Sequence, residues 1–424
     1  NPPMNLLPDL QFRGLIYQLT DEETLAKRLA ERPITLYIGF DPTADSLHVG
    51  SLLPILLLRR FQLAGHNPIA VVGGGTGLIG DPSGKANERT LNTKDIVQEW
   101  TDSIRRQLER FLDFDSPTNP AQIVSNYDWL GQLEMIDFLR DIGKHFTIGT
   151  MLAKESVRSR LEAGISFTEF AYMILQAYDF LQLNEQYNCE LQAGGSDQWG
   201  NITAGIDLIR RIRGESAYGL TVPLVTKSDG TKFGKTEGGA IWLDPEKTTP
   251  YQFYQFWINS NDEDVIGYLK FFTFLSHEEI LALEQEVQEK PWERAAQRTL
   301  AREVTTLVHG QEAMESAENI SQALFYGKVS ELSAVEVGQA LNDVPSYALD
   351  GQTEIELVQL LVDAGICPSK RRAREDVDNG AIYINDEKST DVGRILTRTD
   401  ALFNKYTILR RGKNKYHLLK WGER

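Results

Sequence analysis

The chain has 424 residues, of which 41% are hydrophobic and 25% charged, and this composition predicts a globular protein of two or three domains. It has only two cysteines, Cys189 and Cys367, its apolar runs are too short to span a membrane, and no secretory signal is apparent, so we expect a cytoplasmic protein without a disulfide framework. The net charge of −16 is uneven, because the residues from Cys367 onwards carry 14 Lys and Arg against 8 Asp and Glu, and a basic tail on an acidic body indicates a partner.

The stretch TLYIGFDPTADSLHVGS, residues 35–51, predicts a strand that ends in a tight turn at Gly39 and then feeds a helix. Proline lacks a backbone donor and fits best in the first helical turn, so Pro54 places the helix start near residue 50 or 51. The N-terminus of such a helix presents unpaired N–H groups that suit an anion, and His48 lies beside it. An ordinary turn with a solvated histidine would give the same pattern.

A glycine-rich stretch follows the next predicted strand. Gly75-x-Gly77-x-x-Gly80 matches the spacing of the dinucleotide fingerprint, but that fingerprint must open a helix and here Asp81-Pro82 turns the chain. The spacing up to Lys85 does not match a phosphate-binding Walker loop either. The stretch therefore predicts a turn where backbone can approach a ligand, or a plain surface loop, with three charged residues nearby: Asp81, Lys85 and Arg89.

The segment ISFTEFAYMILQAYDFLQL follows an amphipathic helix at 93–113 and a largely helical region to about 163. It is apolar almost all round, so it predicts a buried helix. Tyr172, Gln176 and Asp179 fall on one stripe of that helix. Polar groups on a buried helix need partners, which a small polar ligand could supply, although a helix edge facing water would also explain them.

The stretch CELQAGGSDQWGNITAGIDLIRR repeats the strand–turn–helix design and places Asp197 and Gln198 in the turn. Two such ends can meet in the crevice above a parallel sheet, where open α/β sheets bind ligands. Further on, Lys232 and Lys235 lie in a Gly- and Thr-rich loop that could close on a polyphosphate, or that could be a basic loop tip.

The remainder of the chain predicts a helical region from 249 to 327, a polar linker at 328–353 and a small basic domain at 354–424. The domain begins with two short helices and continues in strands. Two groups of basic residues give it a surface suited to phosphate backbones, one at the start of the second helix and one in the last strands: Lys370, Arg371, Arg372 and Arg374, and Arg410, Arg411, Lys413 and Lys415.

Five motifs in order, YIGFDPTADSLHVG, GLIGDPSGK, FAYMILQAYDF, GGSDQWGNI and KFGKT, resemble those of bacterial-type tyrosyl-tRNA synthetases, a family of class I aminoacyl-tRNA synthetases. The resemblance covers essentially the whole chain, and the basic tail is similar to the family's small RNA-binding module. It implies an α/β protein with a Rossmann-like parallel-sheet catalytic domain at 1–225, the KFGKT loop and an α-helical domain at 226–327, and a small α+β RNA-binding domain at 354–424. It further implies a cytoplasmic homodimer whose partners are L-tyrosine, ATP with Mg²⁺, and tRNA(Tyr), with no metal site in the protein and no membrane.

The resemblance also implies a two-step reaction. Tyrosine attacks the α-phosphate of ATP to give tyrosyl-adenylate and pyrophosphate, and the tyrosyl group then passes to the terminal ribose of the tRNA. No covalent enzyme intermediate forms, so catalysis consists of positioning and of stabilising charge.

The resemblance also implies a role for each residue that matches a family position. Tyr37 and Asp179 are expected to hydrogen-bond the phenol of the substrate. Tyr172, Gln176 and Asp81 are expected to hold its ammonium, with Gln198 nearby. Gly39, Asp41, Gly194 and Asp197 are expected to line the ribose of the adenylate. Thr43 and His48 are expected to donate hydrogen bonds to the phosphates. Positive charge is expected from Lys85, Arg89, Lys232 and Lys235, of which Lys235 also binds ATP. Ser51 stands where the family usually has His or Asn, so it is left out of the predicted site.

The same sequence features are compatible with two other functions. A nicotinamide-dependent dehydrogenase would rest on Gly75, Gly77 and Gly80 but would leave the basic tail and the two loop lysines unexplained. A non-enzymatic RNA-binding or splicing protein on a dead synthetase scaffold would rest on the tail and on Ser51. A tryptophan-specific relative is disfavoured by Asp179 and by the tail.

Overall fold

The computed structural model describes residues 5–81 and 91–422. These residues form two compact units, one comprising residues up to 248 together with 257–308, and the other comprising 249–256 together with 309 onwards. No helix within the described ranges is long and apolar enough to cross a membrane.

The first unit is built on a six-stranded sheet in the order β1-β6-β5-β2-β3-β4, in which β1 is antiparallel to β6 and the other neighbours are parallel. Its strands are β1 (Gln18–Leu19), β2 (Thr35–Phe40), β3 (Asn67–Val72), β4 (Gln122–Ser125), β5 (Cys189–Gly195) and β6 (Tyr218–Val222). The chain moves outward from β2 in one direction through β3 and β4, and then returns to place β5 and β6 on the other side. This reversal creates a switch point between β2 and β5, where parallel sheets bind ligands.

Helices flank this sheet, and a second small ladder pairs β7 (Lys235–Thr236) with β8 (Gly239–Ala240). The helices before β5 are α1 (Leu6–Phe12), α2 (Glu22–Glu31), α3 (Val49–Leu63), α4 (Lys94–Leu108), α5 (Tyr127–Leu130), α6 (Met135–Asp141), α7 (Ile148–Ala153), α8 (Glu155–Arg158), α9 (Phe167–Phe170) and α10 (Tyr172–Tyr187). Those after β5 are α11 (Trp199–Arg213), α13 (Asp262–Phe272), α14 (His277–Glu289) and α15 (Ala295–His309), while α12 (Pro250–Ile258) contains residues of both units.

The predicted elements around the switch point are confirmed. Four of the six residues of the strand at 35–40 are buried, and the apolar segment that carries Tyr172, Gln176 and Asp179 forms α10. Because α10 packs on α11 and its Phe180 is fully buried, this helix belongs to the core, as its apolar composition predicts.

The start of α3 differs from the prediction. The helix begins at Val49 with His48 as its N-cap, so Pro54 is the sixth residue and lies in the second turn instead of the first. Proline there cannot donate to the Gly50 carbonyl four residues earlier. The helix forms nonetheless because ten of its fifteen residues are buried, and tertiary packing outweighs one missing hydrogen bond.

The second unit combines helices with a five-stranded sheet in the order β12-β11-β14-β15-β9. Its helices are α16 (Gln311–Tyr326), α17 (Ala334–Ala340), α18 (Leu357–Asp363) and α19 (Lys370–Asp378). Its strands are β9 (Ser346–Leu349), β10 (Glu354–Glu356), β11 (Ile382–Ile384), β12 (Glu387–Lys388), β13 (Ile395–Thr397), β14 (Tyr406–Arg411) and β15 (Lys415–Trp421), with β10 and β13 forming a separate pair. The two predicted short helices and the strands that follow them are thus present.

The stretch 328–353, for which the sequence predicts a linker, contains ordered elements. Helix α17 begins with a capping box in which Ser333 and Glu336 each bond to the other's backbone N–H. Strand β9 adds to the sheet beside β15. The Ser-x-x-Glu spacing is a signal for the start of a helix. The prediction of a linker relied on the polar composition of the stretch and did not use this signal.

Candidate active site

A cavity of about 330 Å³ opens at the switch point of the parallel sheet. Twelve of the residues that the resemblance assigns to the site line it: Tyr37, Gly39, Asp41, Thr43, His48, Asp81, Tyr172, Gln176, Asp179, Gly194, Asp197 and Gln198. The strand ends β2 and β5 and the helix α10 supply most of them. The sequence therefore predicted which residues share this cavity, whereas their individual roles stay predictions.

A buried carboxyl group and a buried phenol form one wall of the cavity. Asp179 accepts a hydrogen bond from Asn126 Nδ2 at 3.0 Å and from Trp129 Nε1 at 2.7 Å, and only 4% of it is exposed. Burial raises the pKa of Asp179 to about 8, because removing a carboxylate from water costs more than the two hydrogen bonds return. Tyr37 is also buried, and its hydroxyl has no hydrogen-bond partner among the described residues.

Asn126 and Trp129 were missed by the sequence reasoning. Both follow β4, and Asn126 also donates to Thr76 Oγ1 at 3.0 Å and accepts from the Gly75 amide at 2.8 Å. One signal could have found Asn126, since it directly follows a predicted strand at the same sheet edge as Gly39. Nothing in the sequence indicates that Trp129 reaches Asp179, because fifty residues separate them.

Asp41 and Tyr172 are joined directly, although the resemblance assigns them to different parts of the ligand. The Tyr172 hydroxyl donates to Asp41 Oδ2 at 2.6 Å, and the Thr76 hydroxyl donates to Asp41 Oδ1 at 2.7 Å. Burial, reinforced by the Asp41 carboxylate, raises the pKa of Tyr172 well above its ordinary value, so this phenol is a hydrogen-bond donor at neutral pH. Asp41 is thereby held in one orientation.

A chain of amides leads from α10 to Asp81. Gln176 donates to Gln198 Oε1 at 3.1 Å, and Gln198 donates to Asp81 Oδ2 at 2.9 Å. Asn201 donates to Gln176 Oε1 at 2.9 Å and was not predicted, although it lies one helical turn beyond Gln198. These groups concentrate acceptor oxygens, which suits a ligand cation such as an ammonium.

The N-terminus of α3 forms another part of the cavity. His48 Nδ1 accepts the Gly50 N–H at 3.0 Å, which assigns the proton of the neutral imidazole to Nε2. The ring can therefore donate a hydrogen bond at the positive end of the helix dipole, an arrangement that suits phosphate oxygens. Pro54 lines the cavity, whereas Ser51 is not among its lining residues.

Of the four basic residues predicted to complete the site, the structure describes two. Lys85 and Arg89 lie outside the described residues. Lys232 and Lys235 are exposed on the KFGKT loop, and neither lines the cavity. Between them Phe233 is buried 5.3 Å from the ring of Tyr268 and 5.6 Å from that of Phe272, and this contact anchors the loop.

The basic side chains predicted to bind RNA lie in the second unit. Those of α19 are exposed, as are Lys413 and Lys415. Arg410 and Arg411 are less exposed because Arg410 stacks over the Tyr383 ring at 3.9 Å, and Arg411 pairs with the buried Asp376 at 2.9 Å. Arg411 therefore also has a structural part in this unit.

The described residues contain no group of three or more His, Cys, Asp or Glu side chains that could hold a metal ion.

Comparison with known proteins agrees with the fold. The family described as tRNA synthetases class I (W and Y) matches residues 29–326, and the Tyrosine--tRNA ligase SYY-like C-terminal domain matches residues 336–419. A parallel sheet with a ligand cavity at its switch point and a helix N-terminus beside it is the arrangement in which doubly wound α/β folds bind nucleotides. The chain belongs to the class I tRNA synthetases of the tryptophan and tyrosine group.

Relatives that are similar over nearly the whole chain include two bacterial tyrosine–tRNA ligases. That of Bacillus velezensis is 64% identical over 417 residues, covering 98% of this chain and 99% of the relative, and that of Geobacillus stearothermophilus is 63% identical over 420 residues, covering 99% and 100%. A crystal structure of a C-terminally truncated mitochondrial tyrosyl-tRNA synthetase from Aspergillus nidulans superposes with a TM-score of 0.70 at 30% identity, covering 76% of this chain and 94% of that one.

Proposed function

We infer that this chain is a tyrosine–tRNA ligase, which activates L-tyrosine with ATP and then charges tRNA(Tyr). One observation carries the choice of amino acid: the cavity wall holds a phenol donor, Tyr37, beside a hydrogen-bonded carboxyl group, Asp179. A substrate hydroxyl can bond to both groups. Phenylalanine would leave the buried Tyr37 hydroxyl without a partner, at a cost of about 1–3 kcal/mol, and would also lose the bond of the substrate hydroxyl to Asp179.

The amide chain supports the same orientation of the substrate. We propose that Asp81, Tyr172 and Gln176 hold the ammonium of tyrosine, with Gln198 fixing the Asp81 carboxylate. The substrate carboxylate then faces the N-terminus of α3. Gly39, Asp41, Gly194 and Asp197 line the space proposed for the ribose, and the first three belong to β2, its turn and β5.

In the first step an oxygen of the tyrosine carboxylate attacks the α-phosphorus of ATP. The bond from that phosphorus to the bridging oxygen breaks, and pyrophosphate leaves with the electron pair. His48 donates through Nε2–H and Thr43 through its hydroxyl to phosphate oxygens, while Lys232, Lys235, Lys85 and Arg89 supply positive charge. Mg²⁺ enters with ATP as part of the substrate. Because the tyrosine carboxylate attacks directly, catalysis depends on positioned donors and not on a nucleophile of the enzyme.

In the second step a hydroxyl of the terminal ribose of the tRNA attacks the tyrosyl carbonyl carbon, and AMP leaves. We propose that eight basic groups of the second unit, six of them exposed and two partly buried, bind the tRNA backbone: Lys370, Arg371, Arg372, Arg374, Lys413 and Lys415, with Arg410 and Arg411. The division into a catalytic part at 1–225, a loop and helical part at 226–327, a connection at 328–353 and an RNA-binding part at 354–424 belongs to the same proposal.

Tyrosine-dependent exchange of pyrophosphate into ATP tests the function. We expect exchange with tyrosine and none above background with phenylalanine or tryptophan. A protein that binds tRNA(Tyr) but shows no exchange would instead be the non-enzymatic RNA-binding protein. A change of nicotinamide fluorescence without exchange would support the dehydrogenase.

We also propose that the enzyme works as a homodimer in the cytoplasm. Large apolar side chains are exposed along residues 135–167, including Met135, Ile136 and Ile148, and Phe167 is 76% exposed. Such a concentration marks a protein contact in a chain that otherwise buries its core. Phe167→Asp should shift the mass measured by light scattering from two chains to one, whereas Leu224→Asp, at an equally exposed leucine, should leave two. An unchanged dimer in the Phe167 variant would overturn this assignment.

A further inference from the structure

The segment that follows the KFGKT loop runs against the turn that carries His48. The Val49 amide donates to the Ile241 carbonyl at 2.9 Å, and the Leu243 amide donates to the Leu47 carbonyl at 2.9 Å. These two bonds enclose an antiparallel bridge between His48 and Trp242. The backbone of His48 is thus fixed opposite one particular residue.

The same segment is continuous with the lysine loop. The Ile241 amide donates to the Gly234 carbonyl at 3.0 Å, directly before the pairing of β7 and β8. Gly234 has φ of +83°, and a side chain added there would come within 3.0 Å of Val49. One ladder of backbone hydrogen bonds therefore connects the loop between Lys232 and Lys235 with the start of α3.

Trp242 meets the side chain of His48 as well as its backbone. The two rings lie edge to face, with centroids 6.3 Å apart and planes at 79°. Lys247 covers the indole at 5.1 Å and pairs with Asp45 at 2.7 Å, and the Trp242 amide donates to the Thr248 hydroxyl. These contacts hold the indole in place independently of His48, so the imidazole can pack against it.

We propose that Trp242 is a positioning residue for His48, acting in the activation step that rests on the proposed function. The Gly50 amide bonds to one ring nitrogen of His48, and the indole packs edge to face against the ring itself. This packing limits the tilt of the ring and keeps Nε2–H aimed at the phosphates. Because Trp242 is on the ladder that continues into the lysine loop, it also ties the position of His48 to that loop.

The effect should appear in the rate and not in tyrosine binding. Misplacing a reacting group by about 1 Å can cost about 10²-fold in rate. We expect Trp242→Leu, which keeps apolar bulk and loses the ring, to lower kcat of tyrosine-dependent exchange about 10-fold, with the KM for tyrosine unchanged. Trp242→Phe restores an aromatic edge and should recover most of the rate, while Trp292→Leu, at an exposed tryptophan, should match the wild type.

A double-mutant cycle with His48→Ala separates positioning from a general structural effect. If Trp242 acts through His48, the leucine substitution should cost less than 2-fold once the imidazole is gone. An undiminished 10-fold loss in the His48→Ala background overturns the proposal, and so does full activity of Trp242→Leu. If Trp242→Leu fails to fold, Trp242→Phe and Lys247→Met complete the same cycle. Wild-type protein without exchange would instead refute the proposed function, and normal exchange by His48→Ala would refute the role of that histidine.

Discussion

Replacing Asp179 by asparagine should have opposite effects on stability and on substrate binding. In the folded protein the pKa of Asp179 is raised to about 8, above the ordinary 3.8 of an unfolded chain, by burial. Between these two values the folded state keeps a proton that the unfolded chain has lost. Stability therefore falls by about 1.4 kcal/mol for each pH unit as the pH rises from about 4 to about 8. Asparagine cannot ionise, so this slope should disappear in the variant.

The assay is urea unfolding followed by far-UV circular dichroism at pH 5.5, 6.5, 7.5 and 8.5. The stability of Asp179→Asn relative to the wild type should increase across this series. The KM for tyrosine should meanwhile rise about 10- to 100-fold, because one carboxyl oxygen becomes an NH2 group that cannot accept a hydrogen bond, and a buried partner left unpaired costs about 1–3 kcal/mol. Parallel pH profiles of the two proteins would refute the reasoning, since they would mean that burial of this carboxyl group has no free-energy cost.

Three further tests address separate parts of the molecule. Lys232→Ala and Lys235→Ala should each slow adenylate formation in single-turnover assays without changing tyrosine affinity, and normal rates would argue against closure of the loop. Lys413→Ala with Lys415→Ala should weaken tRNA binding and flatten its dependence on salt by about 0.7–0.9 per lysine in a log–log plot, with exchange unaffected. Arg411→Ala should also lower the thermal unfolding midpoint, since its buried carboxylate partner loses a bond of about 1–3 kcal/mol, and an unchanged midpoint would remove its structural part.

The parts of the fold that could be predicted from the sequence are those fixed by local pattern. The β2 strand follows from alternating β-formers that end at a glycine, and α10 follows from an apolar segment at helical spacing. The stripe of Tyr172, Gln176 and Asp179 comes from the same spacing, which is why three cavity residues could be identified together. The meeting of the two strand–turn–helix ends follows from how parallel sheets are connected.

Contacts between distant segments could not be predicted in this way. Trp129 and Asn126 orient Asp179 from fifty residues away, and neither belongs to a motif. The start of α3 was predicted from the preference of proline for the first helical turn. The packing of a largely buried helix outweighs that preference, so the helix begins earlier. Gly80 shows the converse, since its φ of +90° follows the short 3₁₀ turn at Thr76–Leu78, so the fingerprint opens no α-helix up to Asp81, where the described residues pause, as the Asp-Pro sequence predicts.

The core of the second unit limits how the proposed RNA-binding role of that unit can be tested. One hydrophobic core joins Ile320 and Val337 to Tyr406, Tyr416 and Leu418. Ending the chain before residue 354 would therefore uncover a core, and not simply remove a tail. Each fully buried side chain of this kind contributes about 1.5–3 kcal/mol, so losing three partners would cost a large part of the roughly 5–15 kcal/mol that stabilises a typical domain. Failure of such a truncated enzyme to charge tRNA would not separate lost RNA contacts from unfolding, whereas substitution of exposed lysines leaves the core intact and isolates the contacts.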